Sequence, residues 1–229
     1  MRTSGVLMPI SSLPSPYGIG TMGKSARKFV DFLVKGGQTY WQILPLGPTS
    51  YGDSPYQSFS TFAGNPYFID LDTLVEEGVL DKKDCEKVNW GKKPDEVDYE
   101  KIYKGRYKLL RKAYENSNTS ENPDYQKFVA ENSWWLSDYA LFMAVKDQFG
   151  GVEWTKWAED IRLRWANAMD YYRRELYFDI EFQQYMQFKF YEQWMKLKKY
   201  ANEKGIQIIG DIPIYVAMDS ADTWAHPEL

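Results

Sequence analysis

The sequence has one cysteine and one histidine. A lone cysteine, Cys85, excludes an internal disulfide framework and a cysteine-built metal cluster, and agrees with a reducing compartment. Its lysine-rich surroundings, KKDCEK, predict a surface position. A lone histidine, His226, excludes a histidine-built metal site and a Ser/His/Asp relay, and is read as structural. Also missing is any sustained basic run: net charge is −4 with both signs interspersed, so nothing here tracks a phosphate backbone and nucleic acid is not an expected partner. The N-terminus, MRTSGVLMPISSLPS, has no apolar stretch of secretory type, and no segment reaches the roughly 18 consecutive apolar residues of a membrane span. A cytoplasmic protein with no membrane partner is expected. There is no internal repeat, low-complexity linker or heptad run. The glycines of PYGIGTMG lack both the spacing and the Lys-Ser/Thr pair of a phosphate loop.

What the chain does have is aromatic side chains, 17% of its 229 residues, within a hydrophobic content of 44%. That is enough apolar material for one large domain or two small ones. Most of the nine tryptophans are read as core. A few rings left in a cleft would suit a carbohydrate, whose pyranose faces pack well on aromatic rings.

Val6–Ile10 and Tyr40–Leu46 are short apolar runs ended by Pro or Gly, the pattern of strands buried on both faces. Between them Ala26, Phe29, Val30 and Leu33 fall at helical spacing, and Gly36-Gly37 stops the helix. Strand, helix, strand is a βαβ unit, so the class is α/β with a parallel sheet. From Asp72 to Glu131 the chain is charged, without long apolar runs, and reads as helices and loops. Leu136, Tyr139, Ala140 and Met143 mark a helix, and Trp154 to about Trp165 a shorter one. A long amphipathic helix is predicted from about Asp170 to Asn202, ended by Gly205. Ile206–Ile209 reads as a third strand, with Gly210-Asp211 directly behind it.

Leu44–Leu71, LPLGPTSYGDSPYQSFSTFAGNPYFIDL, gathers hydroxyls, amides, a carboxylate and rings in a segment stiffened by Pro and Gly. Tyr51, Asp53, Ser54, Tyr56, Gln57, Ser58, Asn65 and Tyr67 offer the donors, acceptors and flat faces that a sugar needs. Ser, Asp and Pro also build turns, so composition alone leaves a purely structural loop open.

The order of residues resembles the N-terminal signature of amylomaltases, the 4-alpha-glucanotransferases of glycoside hydrolase family 77. Gly5–Gly20 (GVLMPISSLPSPYGIG) is similar to the family's first strand and loop, and Gly36–Pro48 (GGQTYWQILPLGP) to the second strand. Trp134–Ala144 (WWLSDYALFMA) and Gly205–Pro227 (GIQIIGDIPIYVAMDSADTWAHP) continue the likeness in the same order. It covers essentially the whole chain, and several long motifs in one order are more specific than any short one.

The resemblance implies the first three strands of a (β/α)8 TIM barrel with a mostly helical insertion between strands 2 and 3. Residues 1–69 would hold strands 1 and 2 and the sugar loop, 70–160 the inserted subdomain, and 161–229 barrel helix 2 and strand 3. Without the insertion about 140 residues remain, whereas a closed barrel takes about 250, so the barrel is expected to be incomplete in these residues. The resemblance further implies that Tyr51, Asp53, Ser54, Tyr56, Gln57 and Asp211 bind substrate. Tyr51 and Tyr103 would stack a glucan in a second groove. Retaining transfer needs two carboxyls about 5 Å apart, a nucleophile and an acid/base; in the family these come from later strands, so no catalytic residue is expected here. No metal or cofactor is implied.

The implied activity is transfer of an α-1,4-glucan segment to the 4-hydroxyl of another glucan or of glucose by double displacement, with this chain supplying binding residues and inactive by itself. The partners expected are maltooligosaccharides, with self-association through open barrel edges. A non-catalytic glucan-binding fragment and a hydrolase of the α-amylase group are the alternatives.

Overall fold

The computed structural model describes residues 2–50, 52–93 and 95–228. Three strands, β1 (Gly5–Leu7), β2 (Tyr40–Gln42) and β3 (Gln207–Ile209), form one parallel sheet in the order β1-β2-β3. The register puts Val6, Trp41 and Ile208 in one row, and Leu7, Gln42 and Ile209 in the next.

The helices are α1 (Lys24–Lys35), α2 (Leu71–Glu76), α3 (Lys82–Lys87), α4 (Tyr99–Glu115), α5 (Pro123–Glu131), α6 (Ser133–Gln148), α7 (Glu159–Arg162), α8 (Ala166–Glu175), α9 (Tyr177–Glu203) and α10 (Ala221–Ala225). Several begin where a short acceptor side chain can satisfy free N–H groups of the first turn. Asp70, Asp81, Asp98, Asn122 and Ser220 cap α2, α3, α4, α5 and α10 in this way.

The chain divides into two compact units. The first, residues 1–46, 65–118 and 189–212, contains the sheet and α1 to α4. Here α1 covers one face of the sheet, with Phe29 set edge-on against buried Trp41 at 5.1 Å between ring centres. Helix α1 stops as predicted, with Gly36 as cap and Gly37 at φ 65°, a left-handed value that glycine adopts without strain. Arg106 on α4 is fully buried and donates to the Tyr17 and Ile69 carbonyls. Burial lowers its pKa to about 10, so it remains charged at neutral pH.

The second unit, residues 47–64, 119–188 and 213–229, is built on α5 to α8, the start of α9, and α10. Its core stacks Phe142, Trp157 and Trp224, with centroids 5.3 to 5.9 Å apart. Arg164 lies over Trp224 at 4.4 Å and pairs with Asp138 at 2.6 Å.

Several expectations are corrected. The first strand ends at Leu7, and Ile10–Ser12 is a 3-10 turn, because Pro9 has no N–H for the ladder. The second strand is Tyr40–Gln42, shorter than the apolar run, since Pro45 interrupts that run behind it. Within residues 1–229, Leu7 and Ile209 are 52% and 43% exposed on the face opposite Trp41.

The segment from Trp154 to Trp165 is a 3-10 turn (Trp154–Lys156) followed by the short α7, which ends before Arg164 at φ 56°. The long helix is two, α8 and α9, broken at Leu176. Cys85 is fully buried on the inner side of α3 while the lysines around it face out, and burial pushes its thiol up to about 11. His226, read as structural, is exposed with Nδ1 3.4 Å from Glu228 Oε1.

Candidate functional site

The loop carrying most candidate residues, residues 47–64, lies in the second unit and is built as a closed excursion. Its neck is an antiparallel bridge between Thr49 and Ser58. Beyond it Ser50 N donates to Gln57 O at 3.0 Å, Asp53 N to Ser50 O at 3.2 Å, and Gln57 N to Ser54 O at 3.1 Å. Gly47 permits this closure, because a Cβ there would lie 2.6 Å from Ser58 Oγ.

At the tip Gly52 and Asp53 both take left-handed backbone angles, φ 84° and 54°. Asp is among the few non-glycine residues that tolerate this conformation, at a cost. The effect is to present Asp53, Ser54, Tyr56 and Gln57 together at the tip. Asp53 and Ser54 are half-buried, whereas Tyr56 and Gln57 are exposed. Partial burial raises the pKa of the Asp53 carboxyl above its ordinary value. Ser54 Oγ accepts from Tyr56 N at 3.3 Å, so its hydroxyl also shapes the turn. Tyr51 lies outside the described residues.

Three other residues singled out in this segment do structural work. Ser58 is buried, donates through Oγ to Ser60 O at 2.7 Å and accepts from Ser60 N. In the first unit, Asn65 is 2% exposed and caps a 3-10 turn by accepting from Tyr67 N at 2.9 Å, and Tyr67 itself is buried.

The loop's base is held by residues that the sequence did not single out. Gln187, fully buried on α9, clamps Gly64 from both sides: Gly64 N donates to Oε1 at 2.7 Å and Nε2 donates to Gly64 O at 2.9 Å. Thr61 N donates to Asp222 Oδ2 at 2.9 Å, and Ala221 N to Phe59 O at 2.8 Å. Lys146, 4% exposed, pairs with Asp219 at 2.6 Å and lies 5.1 Å from the Phe59 ring centre. The available signal was Gln183 and Gln187 at helical spacing within FDIEFQQYMQFKF, amides on an otherwise aromatic face.

In the first unit, Asp211 follows β3 by one residue and is half-buried. Parallel strands bring their C-terminal ends to one edge, and Met8 N donates to Gln42 O there while Ile43 N donates to Ile209 O. Asp211 stands just past that edge. Tyr103 is 52% exposed on α4, where Tyr99, Tyr103 and Tyr107 recur every four residues. Its ring lies 5.1 Å from that of Tyr107, which packs edge-on to Tyr67.

These features define an α/β protein with a three-stranded parallel sheet. A family model described as 4-alpha-glucanotransferase matches residues 8–229, and the chain belongs to that family. It is 53% identical over 222 residues to the 4-alpha-glucanotransferase of Clostridium butyricum, covering 97% of this chain and 46% of that protein. It is 54% identical over 230 residues to the 4-alpha-glucanotransferase of Streptococcus pneumoniae, covering 100% of this chain and 46% of that one.

Among solved structures, the amylomaltase from Streptococcus agalactiae in complex with acarbose superposes with a TM-score of 0.95 at 46% identity, over 100% of this chain and 47% of that one. The chain thus spans about half the length of the relatives it matches. No described helix is long and apolar enough to cross a membrane.

Proposed function

We propose that the whole protein is an amylomaltase-type 4-alpha-glucanotransferase. It cleaves an α-1,4-glucan, holds the glycosyl fragment covalently, and passes it to the 4-hydroxyl of an acceptor glucan or of glucose. The observation that carries this reading is the hydrogen-bonded tip at residues 52–57. It sets a carboxylate, a hydroxyl, an amide and a ring side by side in a chain that superposes at 0.95 on an amylomaltase complexed with acarbose.

In this reading Tyr51, Asp53, Ser54, Tyr56, Gln57 and Asp211 bind the donor glucan, and Tyr51 with Tyr103 stacks a chain in a second groove. The exposed Tyr103 ring on a stripe of tyrosines supports the latter. The nucleophile and the acid/base of the double displacement are placed in the part of the relatives' length that these residues do not cover. Two carboxyls and a shaped cleft are sufficient for this chemistry.

The three strands are read as the first three of a (β/α)8 barrel. Residues 1–69 contribute β1, β2 and the loop, residues 70–160 form a helical insertion, and residues 161–229 carry the following helix and β3. The absence of any strand among the described residues between β2 and β3 supports this division. Maltooligosaccharides are the substrates and the cytoplasm the location. Exposed Leu7, Ile209 and Ile212 beside unpaired strand edges support self-association of residues 1–229.

Product analysis of the full-length protein on maltotriose tests the assignment. Transfer redistributes chain lengths at constant reducing ends, whereas net growth of reducing ends would mark a hydrolase. In the same assay Asp211→Asn lowers the transfer rate with little change in melting temperature, because the carboxylate contacts the sugar as charge develops on its ring. Near-normal turnover in an early-melting variant would make Asp211 a structural residue instead.

A further inference from the structure

Four consecutive amides in the second unit are each held by a side-chain acceptor. Thr61 N is held by Asp222, Phe62 N and Ala63 N by Ser60 Oγ at 3.2 Å, and Gly64 N by Gln187. Ser60 and Gln187 are buried, so this strip of backbone is anchored to the interior. What it holds out is an aromatic ring, Phe62, 41% exposed.

Phe62 meets Trp134, 63% exposed on the first turn of α6, with ring centres 4.6 Å apart and planes inclined at 72°. Behind them stands buried Trp135, 6.3 Å from Phe62, its indole N–H fixed to Asn132 Oδ1 at 3.1 Å. Leaving two large rings in water is costly, and anchoring one so firmly does nothing to hide it. Their chain neighbours Thr61 and Ser133 are exposed and bear hydroxyls.

We infer that Phe62 and Trp134 form a platform for an α-1,4-glucan, distinct from the tip at residues 52–57 and from Tyr103. The inference rests on the function proposed above and extends it to a further contact. The chemistry favours a neutral sugar chain. Aromatic faces take the CH-rich faces of pyranoses, neighbouring hydroxyls take sugar hydroxyls, and two inclined faces suit a chain that turns at every α-linkage. Because a rigid platform needs little ordering on binding, even two rings yield measurable affinity.

The test is retention of the full chain in native gels containing amylose, read beside quenching of tryptophan fluorescence by maltoheptaose. Trp134→Ala and Phe62→Ala are expected to weaken retention about five-fold or more, and Trp134→Phe to keep most of it. Melting temperatures within a few degrees of the parent's show that the variants fold, and Phe62→Leu serves if Phe62→Ala does not. If the parent is retained and both Ala variants migrate with it, the platform is overturned while the proposed function stands. Variants that lose self-association at unchanged retention also overturn it, by making the pair a protein interface. If the parent shows neither retention nor quenching, the proposed function itself fails and the platform with it.

Discussion

In the proposed function, Tyr56 and Asp53 divide the work of a sugar contact between ring and charge. Tyr56 is 48% exposed at the loop tip, and a pyranose offers it a face to pack on and one hydroxyl to bond. Tyr56→Phe is therefore expected to be mild and Tyr56→Ala to cost about 1 to 3 kcal/mol of maltooligosaccharide affinity. Calorimetric titration of the full-length protein measures both, and equal losses would remove the ring from the binding account.

Asp53 makes a pH prediction. Its carboxyl is partly buried, which holds its pKa above the ordinary value. The ionised form accepts from sugar hydroxyls through both oxygens, whereas protonation turns one oxygen into a donor and removes the charge, so glucan affinity falls as pH drops through that raised pKa, beginning above the usual aspartate value of about 3.9. Folding runs the other way: the folded state favours the protonated carboxyl, so this group's contribution to stability is present at low pH and lost as pH rises through the raised value. Asp53→Asn should flatten the acid limb of a pH series of affinities. An unchanged limb would assign it to another group.

At the scale of elements, the loop is a product of its anchors more than of its own residues. Helix α9 contributes Gln187, whose side chain satisfies both the N–H and the C=O of Gly64 inside the second unit. Gln187→Leu leaves both groups buried without partners, which is expected to cost about 1 to 3 kcal/mol for each group that water cannot reach. Denaturant unfolding measures the loss. A change within experimental error would show that the loop closes through Asp222 and Ala221 alone. The same logic explains why α9 carries glutamines: aromatic residues fill the volume around them, and only an amide offers donor and acceptor together.

For the molecule as a whole, residues 1–229 expressed by themselves are expected to bind glucan and to show no disproportionation of maltotriose. Transfer requires a nucleophile and an acid/base, which the proposed function places elsewhere in the parent. They are also expected to self-associate, since Leu7 and Ile209 leave apolar surface on the sheet face opposite Trp41. Thin-layer analysis of products and sedimentation at several concentrations check the two statements. Turnover of maltotriose would overturn the first, and a monodisperse monomer at every concentration the second.

The sequence by itself determined the class and the family. Apolar runs broken by Pro and Gly, with one helix between, specify a parallel sheet because each signal is local: a period, a stop, a cap. The ordered motifs from Gly5 to Pro227 named the family for the same reason, since residue order needs no coordinates. Tertiary structure decided which of the candidates stay available to a ligand. Asn65, Ser58 and Tyr67 have the chemistry of sugar contacts yet are occupied with capping, turn-making and core packing, because a polar group near its own backbone bonds there first. Cys85 looks like a surface residue among lysines and is buried, because helix faces point inward or outward by rotation and not by the polarity of sequence neighbours. Gln187 and Asp222 stand more than a hundred residues from the loop they hold. That pairing follows from packing, where distance along the chain carries no information about distance in space.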